Sequence, residues 1–251
     1  MYGAIIGDLA GSIYEYEQLK KVQSIKMNKL IEENAFFSDD TILTIAIKDA
    51  ILHNKDYDYY IRKYIQEYKE YKPNFKPYFK YPFSQNLIKW SKSNSIGESR
   101  GNGAMMRISP VGYMFDKEED VINNAEQATI PSHNSKEAID CAKTIALIIF
   151  YLRKGITLEQ IYNKLNIKVK YKPFTYFNYT CEDTIDNCLF ALYKSTSFED
   201  AISKTLLMGG DTDTNCAIVG SMAEALYGID NDLKEIVNEK LPESLVKVLK
   251  Q

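Results

Sequence analysis

Apolar residues recur along this chain with helical spacing, and no stretch alternates long enough to build a sheet. From Asp40, the run Ile42, Leu43, Ile45, Ala46, Ile47, Ile51 and Leu52 predicts a buried helix. Tyr57, Tyr60, Ile61, Tyr64, Ile65 and Tyr68 follow the i, i+3, i+4 rule. A long helix is predicted over 135–153, with Ala138, Ile139, Ala142, Ile145, Ala146 and Ile149 on one face. Thr180 followed by Asp183, and Ser197 followed by Asp200, carry N-cap patterns for two more helices. Further helices are expected over 214–227, 233–239 and 244–249. Gly3, Gly7 and Gly11 fall in an opening small-residue helix fit for close packing, which ends near Glu15 and Glu17. Residues 167–171 could form one short strand, but a lone strand makes no sheet. The Tyr- and Pro-rich stretch 71–83 reads as an irregular excursion. With no internal repeat and no linker-like stretch, the expectation is one compact all-α domain over 1–251.

Bulk properties narrow the class. A chain of 251 residues suits one large domain. At that size roughly 70–75% of the unfolded chain's surface is buried, so no disulfide or structural zinc is needed. The net charge of -3 is wrong for a basic nucleic-acid clamp. Cys141, Cys181, Cys188 and Cys216 form no C-x-x-C pair, and His53 and His133 are the only histidines. A zinc ribbon, a thioredoxin-like site and a His-rich metal site are therefore disfavoured. Asp8 interrupts the N-terminal apolar stretch, which argues against a signal peptide. The longest apolar run, 144–152, is too short to span a bilayer. A reducing cytoplasm is the expected location.

Two short acidic strings carry the chemistry. In Gly209-Gly-Asp-Thr-Asp-Thr-Asn215, Asp211 and Asp213 are two residues apart. On a regular helix they would point about 200° from one another. They can share a ligand only on a turn or an irregular first helical turn, which the two glycines permit. Hard oxygen donors on a rigid turn suit magnesium or manganese. Helix capping by Asp211 is the alternative. Ser38-Asp39-Asp40-Thr41 opens an apolar helix, where Ser38 can cap and the acids favour the helix dipole. Yet adjacent carboxylates close to a core are costly unless neutralised, and a cation would do so. Gly101-Asn-Gly-Ala-Met-Met-Arg107 is a glycine-rich turn leading into a short helix, able to turn backbone N–H groups toward phosphate. Ser132-His133-Asn134-Ser135 precedes the long helix, where a lone His can equally be a cap.

In this order, from Gly3 to Gly228, these segments resemble the ADP-ribosylglycohydrolase family, with the 209–215 string its most specific element. The resemblance implies an all-α orthogonal helical bundle with two Mg2+, or Mn2+, at the base of a cleft. Ser38, Asp39, Asp40, Asp211, Asp213 and Thr214 would be the ligands. Glu15, or Glu17 if the register slips, would lie near the ribose and water. Gly101, Asn102, Gly103, Ala104 and Met105, together with Met106, would hold the diphosphate or distal ribose, and His133 would approach from the side. Aromatics within 174–179 would wall the adenine or ribose. The reaction implied is cleavage of the bond between ADP-ribose and a modified acceptor, a protein side chain with arginine favoured. Asp39, Asp40 or Glu15 would serve as base. Hydrolysis of free derivatives such as O-acetyl-ADP-ribose, or a non-catalytic binding role, are the alternatives. Expected partners are ADP-ribose or an ADP-ribosylated protein; nucleic acid is the less favoured one. A monomer with no membrane attachment is expected. Ser38 stands where the family usually has Thr, which keeps the hydroxyl. Residues 57–92 match no motif of the family; an amphipathic helix packed by its tyrosines is expected there rather than a nucleic-acid face.

Overall fold

The computed structural model describes residues 1–53, 55–72 and 82–251. Among them every regular element is an α-helix. In chain order these are α1 (Tyr2–Ser12), α2 (Glu15–Lys20), α3 (Asp39–His53), α4 (Tyr57–Tyr68), α5 (Gln85–Ser91), α6 (Gly103–Met106), α7 (Ser109–Met114) and α8 (Glu118–Thr129). There follow α9 (Lys136–Arg153), α10 (Leu158–Lys164), α11 (Cys181–Lys194), α12 (Phe198–Met208), α13 (Thr212–Tyr227), α14 (Asn231–Lys240) and α15 (Glu243–Lys250).

The capping chemistry expected from sequence is present. Ser135 Oγ accepts from Ala138 N at 3.2 Å, Thr180 Oγ1 from Asp183 N at 3.2 Å and Ser197 Oγ from Asp200 N at 3.1 Å. Each satisfies a donor that has no partner inside its own helix. In α4, Tyr57, Tyr60, Ile61, Tyr64 and Ile65 are buried, as the amphipathic spacing predicts.

The centre of the molecule is α13. Every residue from Thr212 to Ala223 is buried, and the helix packs against α1, α12, α9 and α11. A helix with no solvated face needs neighbours on all sides. Against α1 the approach is closest. A Cβ on Gly3, Gly7 or Gly11 would lie 2.1, 2.0 or 2.2 Å from the carbonyl oxygens of Gly220, Cys216 and Thr212. Only a stripe without side chains allows this contact, and it brings the N-terminal helix flush against the start of α13.

Residues 167–171 are not a strand. Extended pairing occurs elsewhere, as isolated antiparallel bridges between Glu98 and His133 and between Gly101 and Thr180. The chain 97–102 is thus held between 131–134 and 179–181, which alternation in so short a segment could not signal. Of the predicted excursion 71–83, residues 73–81 lie outside the described residues. The opening helix ends at Ser12, and Glu15 begins α2 after a short break.

Candidate metal centre and cleft

Gly209 and Gly210 both take positive φ, 69° and 76°, which places the next residue outside the helix that follows. Asp211 has φ -75° and ψ 80° and makes no side-chain cap bond. Its Oδ2 instead accepts from Asn102 Nδ2 at 2.7 Å, and its N–H donates to Asn178 Oδ1 at 2.8 Å. Asp213 sits in the first turn of α13. The irregular turn that the spacing demanded is therefore present, and capping does not account for Asp211.

The opening of α3 is tied to α1 by a residue that the motif reading passed over. Asp8 lies fully buried in the apolar first helix. Its Oδ2 accepts from Ser38 N at 2.9 Å, Thr41 N at 3.1 Å and Thr41 Oγ1 at 2.5 Å. Ser38 Oγ lies 2.8 Å from Asp8 Oδ1 and 3.0 Å from Asp40 Oδ2, and it accepts from Asp40 N at 3.2 Å. Ser38 is thus both a cap and a link between two carboxylates. The sequence did carry a signal for Asp8: a lone carboxylate inside an apolar helix is costly without a purpose. Asn178, whose amide spans Asp211 and Asn215, gave no such signal because its segment has no regular pattern.

Carboxylate oxygens of Asp8, Asp40 and Asp213 lie within 4.8 Å of one another, and so do those of Glu15, Asp211 and Asp213. All five residues are buried, and Asp213 belongs to both groups. Burial, with the charge of Asp213 second, pushes Asp8 up to about 7. Burial pushes Asp40 well above the carboxylate range, helped by Asp213, Asp8, Asp39 and Asp211. Asp211 is raised by burial and by Asp213, against the opposing hydrogen bond from Asn102. Asp40 Oδ1 is buried and accepts no hydrogen bond among the described residues. Clustered anions with an idle buried oxygen are what a hard divalent cation relieves, and two groups sharing one carboxylate offer two adjacent positions. The donor set fits magnesium or manganese. Thr214 Oγ1, 3.4 Å from Asp40 Oδ2, lies beside it.

Asp39 is half-buried and lines the cleft, but its carboxylate falls in neither group of three. Glu15 lines the cleft while Glu17 is exposed. The cleft has a volume of about 600 Å³, the size of a small-molecule site. Asn102, Gly103 and His133 line it, with Phe177 and Tyr179 from the aromatic stretch. Leu87 and Trp90 of α5 also line it, although that stretch gave no motif. Arg62 pins Trp90 by stacking its guanidinium 3.9 Å from the ring centroid.

The 101–106 loop differs in detail from a cradle of free N–H groups. The N–H of Gly101 donates to Ser99 Oγ, Asn102 to Tyr179 O, Ala104 to Gly101 O and Met105 to Asn102 O. Ala104 and Met105 bury their side chains in the core. The Gly103 N–H remains without a partner among the described residues.

Fold and site define an all-helical protein with a buried polycarboxylate centre on the floor of a ligand-sized cleft. The chain belongs to the ADP-ribosylglycohydrolase family, whose sequence profile matches residues 1–250. It is 23% identical to the ADP-ribosylarginine hydrolase of Pseudomonas putida, over 91% of this chain and 70% of that one. It is 28% identical to the ADP-ribosyl-[dinitrogen reductase] glycohydrolase of Rhodospirillum rubrum, over 52% of this chain and 47% of the relative. The same fold occurs in a solved structure described as an ADP-ribosylglycohydrolase-related protein complex. That match has a TM-score of 0.68 at 18% identity and covers 99% of this chain and 97% of the other. No described helix is long and apolar enough to cross a membrane.

Proposed function

We propose that this protein is a metal-dependent hydrolase that cleaves the glycosidic bond between ADP-ribose and a modified protein side chain, with arginine the favoured acceptor. The observation that carries this reading is the pair of carboxylate groups joined by Asp213 at the base of the cleft. Glu15, Asp40, Asp211 and Asp213, with Thr214 beside them, would hold two Mg2+ or Mn2+. Asp8 and Ser38 would fix the position of Asp40. Bound there, the ions would orient the ribose hydroxyls and make a bound water more acidic.

The chain's own groups do the rest. Asn102 holds Asp211 in place through its amide. Of the three candidate bases Glu15, Asp39 and Asp40, the first two line the cleft, so one of them takes the proton of the attacking water at a carboxylate oxygen. Asp40, buried between Asp8 and Asp213, does not line the cleft. Cleavage at the anomeric carbon develops oxocarbenium character, which a floor of carboxylates favours. Phe177, Tyr179 and Trp90 offer flat apolar surfaces for the adenine or ribose. An arginine acceptor is supported by the Pseudomonas putida relative and by Glu98, a further carboxylate lining the cleft.

The test is a panel of ADP-ribosylated arginine, serine and DNA substrates, with O-acetyl-ADP-ribose alongside, each assayed with and without a chelator. Release of ADP-ribose from arginine that EDTA stops and Mg2+ or Mn2+ restores supports the reading. Turnover unaffected by the chelator on every substrate overturns its metal dependence, and no release from any substrate overturns the enzyme.

A further inference from the structure

Arg107, the last residue of the glycine-rich motif, is the largest fully buried side chain among the described residues. Its Nη2 donates to Ser132 Oγ at 2.7 Å and to Ala128 O at 3.3 Å, while Nε and Nη1 have no hydrogen-bond partner among the described residues. A buried guanidinium left partly unsatisfied is expensive, and such a group persists where it serves something else. Ser132 Oγ in turn lies 2.7 Å from His133 Nδ1. His133 Nε2 makes no hydrogen bond among the described residues and faces the glycine loop. A Cβ on Gly103 would stand 3.3 Å from it and one on Gly101 3.5 Å.

The proton positions along this chain follow from what each group can do. A guanidinium only donates, so Ser132 Oγ must accept from Arg107. Ser132 is buried, and His133 Nδ1 is the other polar atom within its reach. If Nδ1 carried the proton, the serine hydroxyl would accept twice and its own hydrogen would be buried without a partner. The serine O–H therefore donates to Nδ1, and the imidazole proton resides on Nε2. Burial and the nearby positive charge of Arg107 both hold His133 well below the usual imidazole range, so the ring stays neutral.

We propose that Arg107 is a positioning residue that acts through Ser132 to lock His133 as a neutral Nε2–H donor facing the cleft beside the Gly103 N–H. The two donors converge on one oxygen acceptor of the ligand, a phosphate or ribose oxygen. His133 is then no general base, because the one nitrogen not engaged by Ser132 already carries the proton. The identity of that acceptor rests on the functional reading above; the locked tautomer does not.

Long-range 1H–15N correlation on 15N-histidine protein carrying His53→Gln, which leaves one imidazole, reads the tautomer directly in the free protein. A neutral Nε2–H ring that does not titrate between pH 6 and 8 supports the proposal. An Nδ1–H ring, or a cation in that range, overturns it. In Ser132→Ala the ring should become a mixture of tautomers, and ADP-ribose should bind about twofold more weakly by calorimetry, in proportion to the fraction of rings that no longer carry the Nε2 proton. Ser132→Thr, which restores the hydroxyl, should recover both. Unchanged tautomer and affinity in Ser132→Ala overturn the relay. Failure of the parent protein to bind ADP-ribose would instead defeat the functional reading and the ligand half of the proposal, with the tautomer decided separately by the spectrum.

Discussion

Asp8 and Asp213 bring carboxylate oxygens within 4.8 Å of one another from helices at opposite ends of the chain. No motif links them. What joins them is the glycine stripe of α1 lying on the backbone of α13, fastened by Thr212 Oγ1 donating to Gly11 O at 2.8 Å. The acid centre therefore depends on a helix contact that has no side chain to spare.

Gly7→Ala tests that dependence. Its Cβ would meet Cys216 O at 2.0 Å, a backbone atom that cannot rotate away. The helices must part, at a cost of about 1–3 kcal/mol or more for overpacking. The expected result is a lowered midpoint in urea together with weakened Mn2+ binding by calorimetry. Normal metal binding would mean that Asp8 need not stand so close.

Asp8→Asn keeps the shape and removes the charge. Because Asp8 holds Ser38 and Thr41, its loss should weaken metal binding by roughly 10–100-fold, the usual effect of an outer partner. The folded protein should remain, and the metal-free form should gain stability at neutral pH.

Asp213→Ala removes the carboxylate common to both groups, and Asp211→Ala removes one from the second group alone. Turnover should vanish in both with the circular dichroism unchanged. Metal titration should then separate them: no site left in Asp213→Ala, and one weakened site left in Asp211→Ala. Full activity in either would defeat the two-metal reading.

The acid cluster also sets a pH dependence. Asp8 moves from 3.8 to about 7 on folding, and Asp40 and Asp211 are raised too. A raised carboxylate stabilises the fold while protonated. That contribution is complete below 3.8, fades as pH rises and is gone above about 7. Chelated protein should therefore melt at a lower temperature at pH 8 than at pH 5, by a few kcal/mol of stability. Added Mn2+ should raise the midpoint strongly at pH 8 and little at pH 5, because it competes with protons for the same oxygens. Equal gains at both values would show that the cation binds elsewhere.

Local pattern was enough for the longer helices, though not for α5, α8 or α10. The spacing of Tyr57 to Tyr68 and the caps at Ser135, Thr180 and Ser197 depend on neighbours a few residues away, so the sequence displays them. The requirement that Asp211 and Asp213 lie on a turn or an irregular first helical turn was likewise legible, because two glycines and a two-residue spacing state it locally. Glu15, Asn102, Gly103 and His133 followed from resemblance, and the structure brings all four to one cleft.

Other assignments needed three dimensions. Asp8 looked like an interruption in an apolar run until α1 docked on α13. Asp39, adjacent to Asp40, was indistinguishable from it in sequence, yet the start of α3 turns one toward the cleft and buries the other among the acids. The 101–106 loop looked like a row of free N–H donors, but pairing with 179–181 and its own turn engage most of them. Asn178, Trp90 and the Arg107–Ser132–His133 chain lie on segments with no shared pattern. By itself the sequence determined which residues could be helical, charged and close to a turn, because those are short-range properties of the backbone. The tertiary structure decided which carboxylates cluster and which groups surround His133, because burial and pairing arise only between segments distant in the chain.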